Sequence, residues 1–194
     1  MKRILSTFFV LSFAAAMTFS AAGQADKQGS NTATTSAKQS AGMGDTDSTF
    51  VKKAARGGLA EVEFGQLATQ KASSEEVKKF GQRMVDDHTK ANEQLKQVAA
   101  EKNIDLPQNL DAKDKAIKAH LEKLSGEQFD RAYMRNMVKD HQKDVAEFEH
   151  ASQTIKDPAI KSFAEQILPT LRDHLKEAEK IAPKQQQAER TSGQ

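Results

Sequence analysis

The sequence predicts an all-α fold, a bundle of four long helices, and three observations carry that prediction. Apolar residues recur at steps of three and four, and no stretch sustains the alternation of a strand. The composition favours strong helix formers such as Ala, Lys, Glu and Gln, with only 10 Gly and 4 Pro in 194 residues. Breaks in the helical pattern fall at a few well-marked points, chiefly Pro107, Pro158 and Pro183.

Taken in order, residues 1–25 come first. A basic "MKR", an apolar "ILSTFFVLSFAAAMTF" and a small-residue "SAAGQA" have the three-part layout of a secretory signal peptide. Cleavage is expected after Ala22 or Ala25. The apolar run is short for a membrane span, so no transmembrane segment is expected once it is removed. Residues 26–47, rich in Ser, Thr, Gly, Ala and Gln, read as a disordered linker. The first bundle helix is expected from Ser48 to Lys71. The second starts at "SSEEVKKF", where Ser73 and Glu76 have capping-box spacing, and runs to about Lys102. "NIDLPQNLD" breaks the chain, and a short helix from Ala112 to Leu124 fits inside that connection. The third long helix runs from "SGEQFD" to about Ile155. The fourth takes Asp157 as N-cap and Pro158 as its first position, and is expected to end near Ile181. Residues 183–194 then read as a disordered tail, which leaves 48–182 as the bundle. Two tight hairpins joined by a long crossover, with the short extra helix inside it, is the ferritin-like version of the four-helix bundle.

Several function classes fall away on composition. The chain lacks cysteine, which excludes disulfides, thiolate metal sites and a cysteine nucleophile. Removing Lys2 and Arg3 with the leader takes the basic count from 29 to 27, equal to the 27 acidic residues. A neutral, evenly mixed surface argues against a nucleic-acid partner. No phosphate loop, Gly-rich cofactor loop or nucleophile motif is present.

The chemistry lies with the histidines. "MVDDHTK" (Met84–Lys90), "MVKDHQK" (Met137–Lys143) and "RDHLK" (Arg172–Lys176) repeat one setting. His88 falls on the seam Val77, Phe80, Met84, Ala91, Leu95, Val98 of the second long helix. His141 follows Met134 and Met137 and precedes Val145 and Phe148, and His174 lies between Leu171 and Ala178. Each therefore faces inward from a different helix. His120 and His150 fall at an edge and on a charged face. On the first helix Glu61 lies on the seam of Phe50, Ala54, Gly57, Phe64 and Ala68. A carboxylate there is costly unless paired, protonated or metal-bound. Gly57 and Gly58 point to a close helix approach or a local bulge beside it.

The sharp expectation is a metal site of Glu61, His88, His141 and His174, one residue from each helix. Such N/O ligands suit Fe, Zn, Mn, Cu or Ni. Asp87, Asp140 and Asp173 precede the histidines and are placed to orient a histidine on a neighbouring helix. Asp144 and Glu177 are candidate further ligands, and Tyr133 a donor to Glu61. The bland alternative is three hydrogen-bonded core histidines at different depths. An internal repeat bears on depth: "EEVKKFGQRMV" (75–85) aligns with "PAIKSFAEQIL" (158–168), and in that alignment His174 falls one turn beyond His88.

With these residues in view, the chain resembles a bacterial family of secreted ferritin-like proteins of unknown function (DUF4142), often labelled "predicted outer membrane protein". The resemblance rests on "GGLAEVEFGQLA", "EEVKKFGQRMVDDHTKAN", "LSGEQFDRAYMRNMVKDHQKDVAEFE" and "ILPTLRDHLKEAE", and spans about Thr49 to Ala182. It implies the bundle and a place in the periplasm or cell envelope, but no activity. The likeness to di-iron ferritins is weaker, because their Glu-x-x-His is missing: Val85, Val138 and Leu171 stand three before the histidines. Three functional readings follow: a non-enzymatic envelope protein that binds a metal in its core, a metal-dependent redox enzyme with a non-standard site, and a structural or stress-related bundle without metal.

Overall fold

The structure is a computed structural model that describes residues 45–192, with side chains described from 46 to 182. The expected signal peptide and most of the expected linker lie outside the described residues. The described residues form five helices and no strand: α1 (Asp45–Lys71), α2 (Glu75–Glu101), α3 (Ala112–Glu122), α4 (Gly126–Thr154) and α5 (Pro158–Ser192). α1 pairs with α2 and α4 with α5 as hairpins, and α3 lies in the long connection between them.

Ion pairs fix the helix directions. Lys102 Nζ at the end of α2 meets Asp157 Oδ2 at the start of α5, 2.6 Å apart, while Arg83 near the start of α2 reaches Glu177 late in α5 at 2.5 Å. The two helices are therefore antiparallel. Lys53 of α1 likewise pairs with Glu147 of α4 at 3.3 Å, and Lys71 at the other end of α1 donates to the carbonyls of Glu122 and Leu124 just before α4. Every neighbouring pair of long helices runs antiparallel.

The closest helix approach is between α1 and α2. A Cβ on Gly81 would lie 2.6 Å from Ala68 Cβ and 2.9 Å from Gly65 O, and one on Gly65 would lie 2.6 Å from Gly81 O. Only glycine at both positions lets these backbones touch. Farther along, a Cβ on Gly58 would fall 2.0 Å from Asn92 Oδ1, so the close approach expected beside Glu61 is found there too.

Capping divides into one expected device and one unexpected. Asp157 caps α5, its Oδ1 accepting from the N–H groups of Ala159 (3.0 Å) and Ile160 (3.2 Å). The Ser73–Glu76 capping box does not form. Its place is taken by Asp130 of α4, fully buried, which accepts from Ser73 N (3.1 Å), Ser73 Oγ (2.6 Å) and Ser74 N (2.9 Å). A carboxylate that bonds two backbone N–H groups satisfies more of the helix end than one Ser hydroxyl does. One further expectation is corrected. α5 continues through Pro183 to Ser192 instead of ending near Ile181. Proline forfeits a single hydrogen bond there, and the "KQQQAER" that follows consists of good helix formers.

The apolar core is in two parts. One cluster holds Phe64, Phe80, Met84, Phe129, Tyr133 and Met137, among others. The second holds Phe50, Leu95, Phe148, Ile160, Phe163 and Leu171, among others. Each helix passes from one cluster to the other at a defined point: after Met84 on α2, after Met137 on α4 and after Leu171 on α5.

Asp130→Ala is expected to destabilise the protein by about 3 kcal/mol, because it strands buried N–H donors, and Ser73→Ala by only about 1 kcal/mol. Urea unfolding with an unchanged m-value measures both. Equal effects would show that Asp130 is not the cap that matters.

Candidate metal centre

The point at which each helix changes cluster is occupied by a histidine. His88 follows Met84 by one turn, His141 follows Met137, and His174 follows Leu171. They form a polar layer between the two apolar clusters. His88 is 6% exposed, His141 0% and His174 1%. Their ring centroids lie 5.8 Å (His88–His141), 5.4 Å (His88–His174) and 5.3 Å (His141–His174) apart. One ring nitrogen from each lies within 4.8 Å of one from each of the others.

The expected one-turn offset between His88 and His174 does not separate them. The offset was read from the aligned repeat, which counts both helices from their N-termini. In an antiparallel pair those termini are at opposite ends, so a repeat register gives no common depth.

Two of the rings are held by their outer nitrogen. His141 Nδ1 donates to the carbonyl of Met137 at 2.9 Å. His174 Nε2 donates to Asp87 Oδ2 at 3.0 Å. A carbonyl and a carboxylate can only accept, so the remaining nitrogen of each neutral ring carries a lone pair. His141 Nε2 and His174 Nδ1 are buried and find no partner, and the same is true of His88 Nε2. Buried polar atoms without partners are uncommon, and here three occur on three packed rings. Burial, reinforced by the charges of its two neighbours, pushes His88 well below its ordinary pKa. Burial and the charge of His174 bring His141 to about 4 against the Met137 hydrogen bond. Burial also lowers His174, against the opposing hydrogen bond to Asp87. All three are neutral imidazoles at pH 7, the ligating form.

Asp87 is the one preceding aspartate that orients a histidine, and it does so across helices, as the sequence predicts for this position. Burial raises its carboxyl, but the hydrogen bonds from His174 and Arg83 outweigh that and hold it below the usual range. Asp140 instead accepts from Asn136 Nδ2 at 2.9 Å, and Asp173 is exposed. Glu177 is taken by Arg83. His120 and His150 are exposed.

Glu61, the expected fourth ligand, is not among the grouped side chains. Its position on the seam is as read, 2% exposed. At the crossover between clusters, where α1 passes from Ala55 to Ala60, it carries Gly57 and Gly58. Glu61 belongs instead to an acidic set. Burial, then the charges of Asp144, Asp140 and Asp114, hold its carboxyl well above the usual range. Burial and Asp140 bring Asp144 up to about 7. The expected Tyr133–Glu61 hydrogen bond is absent: Tyr133 OH and Glu61 Oε2 are both buried without partners, and burial and the Glu61 charge raise the phenol. These acids line a cavity of about 280 Å³ whose lining includes His88.

The comparisons with known proteins agree on the architecture. A family model described as "Domain of unknown function (DUF4142)" matches residues 32–181. The crystal structure of a DUF305 fragment from Deinococcus radiodurans superposes with a TM-score of 0.65 at 16% identity, covering 73% of this chain and 98% of that one. A DUF305 protein from Streptomyces coelicolor superposes with a TM-score of 0.61 at 13% identity, over 72% and 93% of the two chains. At these identities the likeness shows the fold alone. No curated protein matches the sequence.

Asp144 gives a pH test. Its folded pKa, about 7, lies above the unfolded value of about 3.9. The native state holds the proton more tightly, so this contribution is complete below about pH 4 and is lost as pH rises to about 7. Asp144→Asn is expected to gain stability relative to the parent over that window, by on the order of 4 kcal/mol. Chemical denaturation at a series of pH values reads the difference, and a pH-independent difference would contradict it.

Proposed function

We propose that this chain, which belongs to the DUF4142 family, binds one transition-metal ion in its core through His88, His141 and His174. The observation that carries the reading is the set of three buried, unpartnered ring nitrogens on one layer. Each of the two outer nitrogens that is bonded is bonded to an acceptor, the arrangement that orients a metal-ligating histidine. In a tetrahedral site with bonds of about 2.0–2.1 Å, ligand nitrogens lie about 3.3 Å apart. Nitrogens within 4.8 Å reach that spacing by small side-chain rotations.

Three protein ligands leave a fourth coordination position, which water or a small anion would fill. Neutral imidazoles favour Cu, Zn, Ni or Fe over Mn. The four long helices, their two hairpins and the long crossover support a ferritin-like bundle, in which the ion would bridge α2, α4 and α5. The signal-peptide pattern of residues 1–25 supports export to the periplasm or cell envelope, with the residues between it and α1 as a linker. Among the described residues no helix is long and apolar enough to cross a membrane. The role proposed is binding without catalysis. The missing Glu-x-x-His leaves no bridging carboxylates for a di-iron pair.

Calorimetric titration of the metal-free protein is expected to give one site per chain, tightest for Cu²⁺, weaker for Zn²⁺ and weakest for Mn²⁺. His141→Ala should lose more than about 100-fold in affinity, and Asp87→Ala about tenfold through loss of His174 orientation. His150→Ala should leave it unchanged. Equal affinity in the His141 and His150 variants would remove this site and favour a bundle whose histidines only pack.

A further inference from the structure

An acid-lined cavity lies beside the tri-histidine layer. It is bounded by α1, α2, α4 and α5 and by the start of α3, and the exposure of its lining is graded. Lys53, Arg56, Lys113 and Lys143 are exposed and stand at its mouth. Asp114, Asp140 and Asp144 are deeper and part-buried, and Glu61 is deepest at 2% exposed. Two of the basic side chains already have acidic neighbours, Lys53 with Glu147 at 3.3 Å and Lys113 between Asp114 and Asp140 at 4.0 Å. None of the four is paired with Glu61, whose Oε2 has no partner. The lining also includes His88, with its own unpartnered Nε2.

Space is provided by α1. Gly57 carries no side chain, and a Cβ there would have ordinary room, 4.0 Å from Asp144 Oδ2. At about 30 Å³ per water the cavity of about 280 Å³ holds roughly nine, enough for a divalent cation with six first-shell waters. The carboxylates do not form a close group like that of the three imidazoles. They suit an ion held through its water shell more than one stripped and tightly coordinated. A second cavity touches His88 and His174, but its one acid, Asp87, is engaged with Arg83 and His174, and Lys90 stands beside it.

We propose that the acid-lined cavity is a loading chamber, which takes up a hydrated divalent cation and delivers it to His88 and so to the tri-histidine centre. No bond between heavy atoms of the protein breaks in this step. The ion exchanges waters for imidazole nitrogens one at a time, and the displaced waters leave through the cavity mouth. The chamber's acids act on the rate of loading: Glu61 and Asp144, whose protons burial and like charge retain in the empty cavity, release them to solvent as the cation enters and then accept from its water shell, and the final ligand set is unchanged. This inference rests on the metal-binding reading above.

The test separates rate from affinity. Stopped-flow loading of the metal-free protein with Co²⁺ is followed by its visible d–d absorbance. Glu61→Gln/Asp144→Asn is expected to load about tenfold more slowly, with equilibrium affinity held within about threefold. Gly57→Leu, which fills the chamber without changing a charge, should slow loading as well. Thr170→Leu, which fills the second cavity, should not. Unchanged rates in the first two variants, or slowing only in Thr170→Leu, would overturn the proposal. Mn²⁺ provides a readout independent of the histidines: in His141→Ala it should broaden the amide signals of Gly57 and Gly58, and the added Glu61→Gln/Asp144→Asn changes should abolish the broadening. If the parent protein takes up no Co²⁺ while this broadening persists, the tri-histidine reading fails and the chamber stands as a cation site. If neither is seen, both fail.

Discussion

Three imidazoles share the centre of this bundle, and each has one nitrogen for which the protein provides no partner. Burying a polar group without a hydrogen bond costs about 1–3 kcal/mol, so a layer with three such atoms is a concentrated destabilisation. A core made only for stability would put leucine there. The surrounding structure goes further and holds the rings in this state. The Met137 carbonyl and the Asp87 carboxylate fix two of the tautomers, so that the lone pairs are left on the nitrogens that have no partner. Bound metal is the one class of partner that would satisfy all three nitrogens together.

The rest of the fold is arranged around that layer. The apolar core is divided into two clusters, one on either side of the histidines, and α2, α4 and α5 each contribute one ring at the crossing. α1 contributes glycines there instead. The layer is thus closed on three sides by imidazole and open on the fourth to an acid-lined cavity. The tight α1–α2 contact at Gly65 and Gly81 and the Asp130 bonds to the start of α2 sit toward the far end of the first cluster. They brace the helices that carry His88 and His141 without entering the site.

The sequence made the faces legible but not the depths. Steps of three and four along α2, α4 and α5 place His88, His141 and His174 inward, and the structure puts them there. Their meeting at one level depends on antiparallel packing, which the aligned repeat cannot report. Glu61 has the face read for it, but the three imidazoles group without it, and the charges of Asp144, Asp140 and Asp114 act on its carboxyl. Asp87 was readable because a residue adjacent to a seam position on one helix faces the next helix. Asp130 was not, since a cap supplied from 57 residues away leaves no local pattern, and the Ser73–Glu76 spacing advertised a local cap that the buried carboxylate displaces. Pro183 looked like a helix end because proline usually is one, yet its cost is a single hydrogen bond in a segment of strong helix formers.

The central claim is that the three ring nitrogens are metal ligands, and X-ray absorption at the zinc edge of the zinc-loaded protein tests it most directly. The account predicts a first shell with three imidazole nitrogens at about 2.0–2.1 Å, with the outer-shell scattering that marks histidine, and loss of that signature in His141→Ala. A shell dominated by carboxylate oxygen, or one that His141→Ala leaves unchanged, would contradict it.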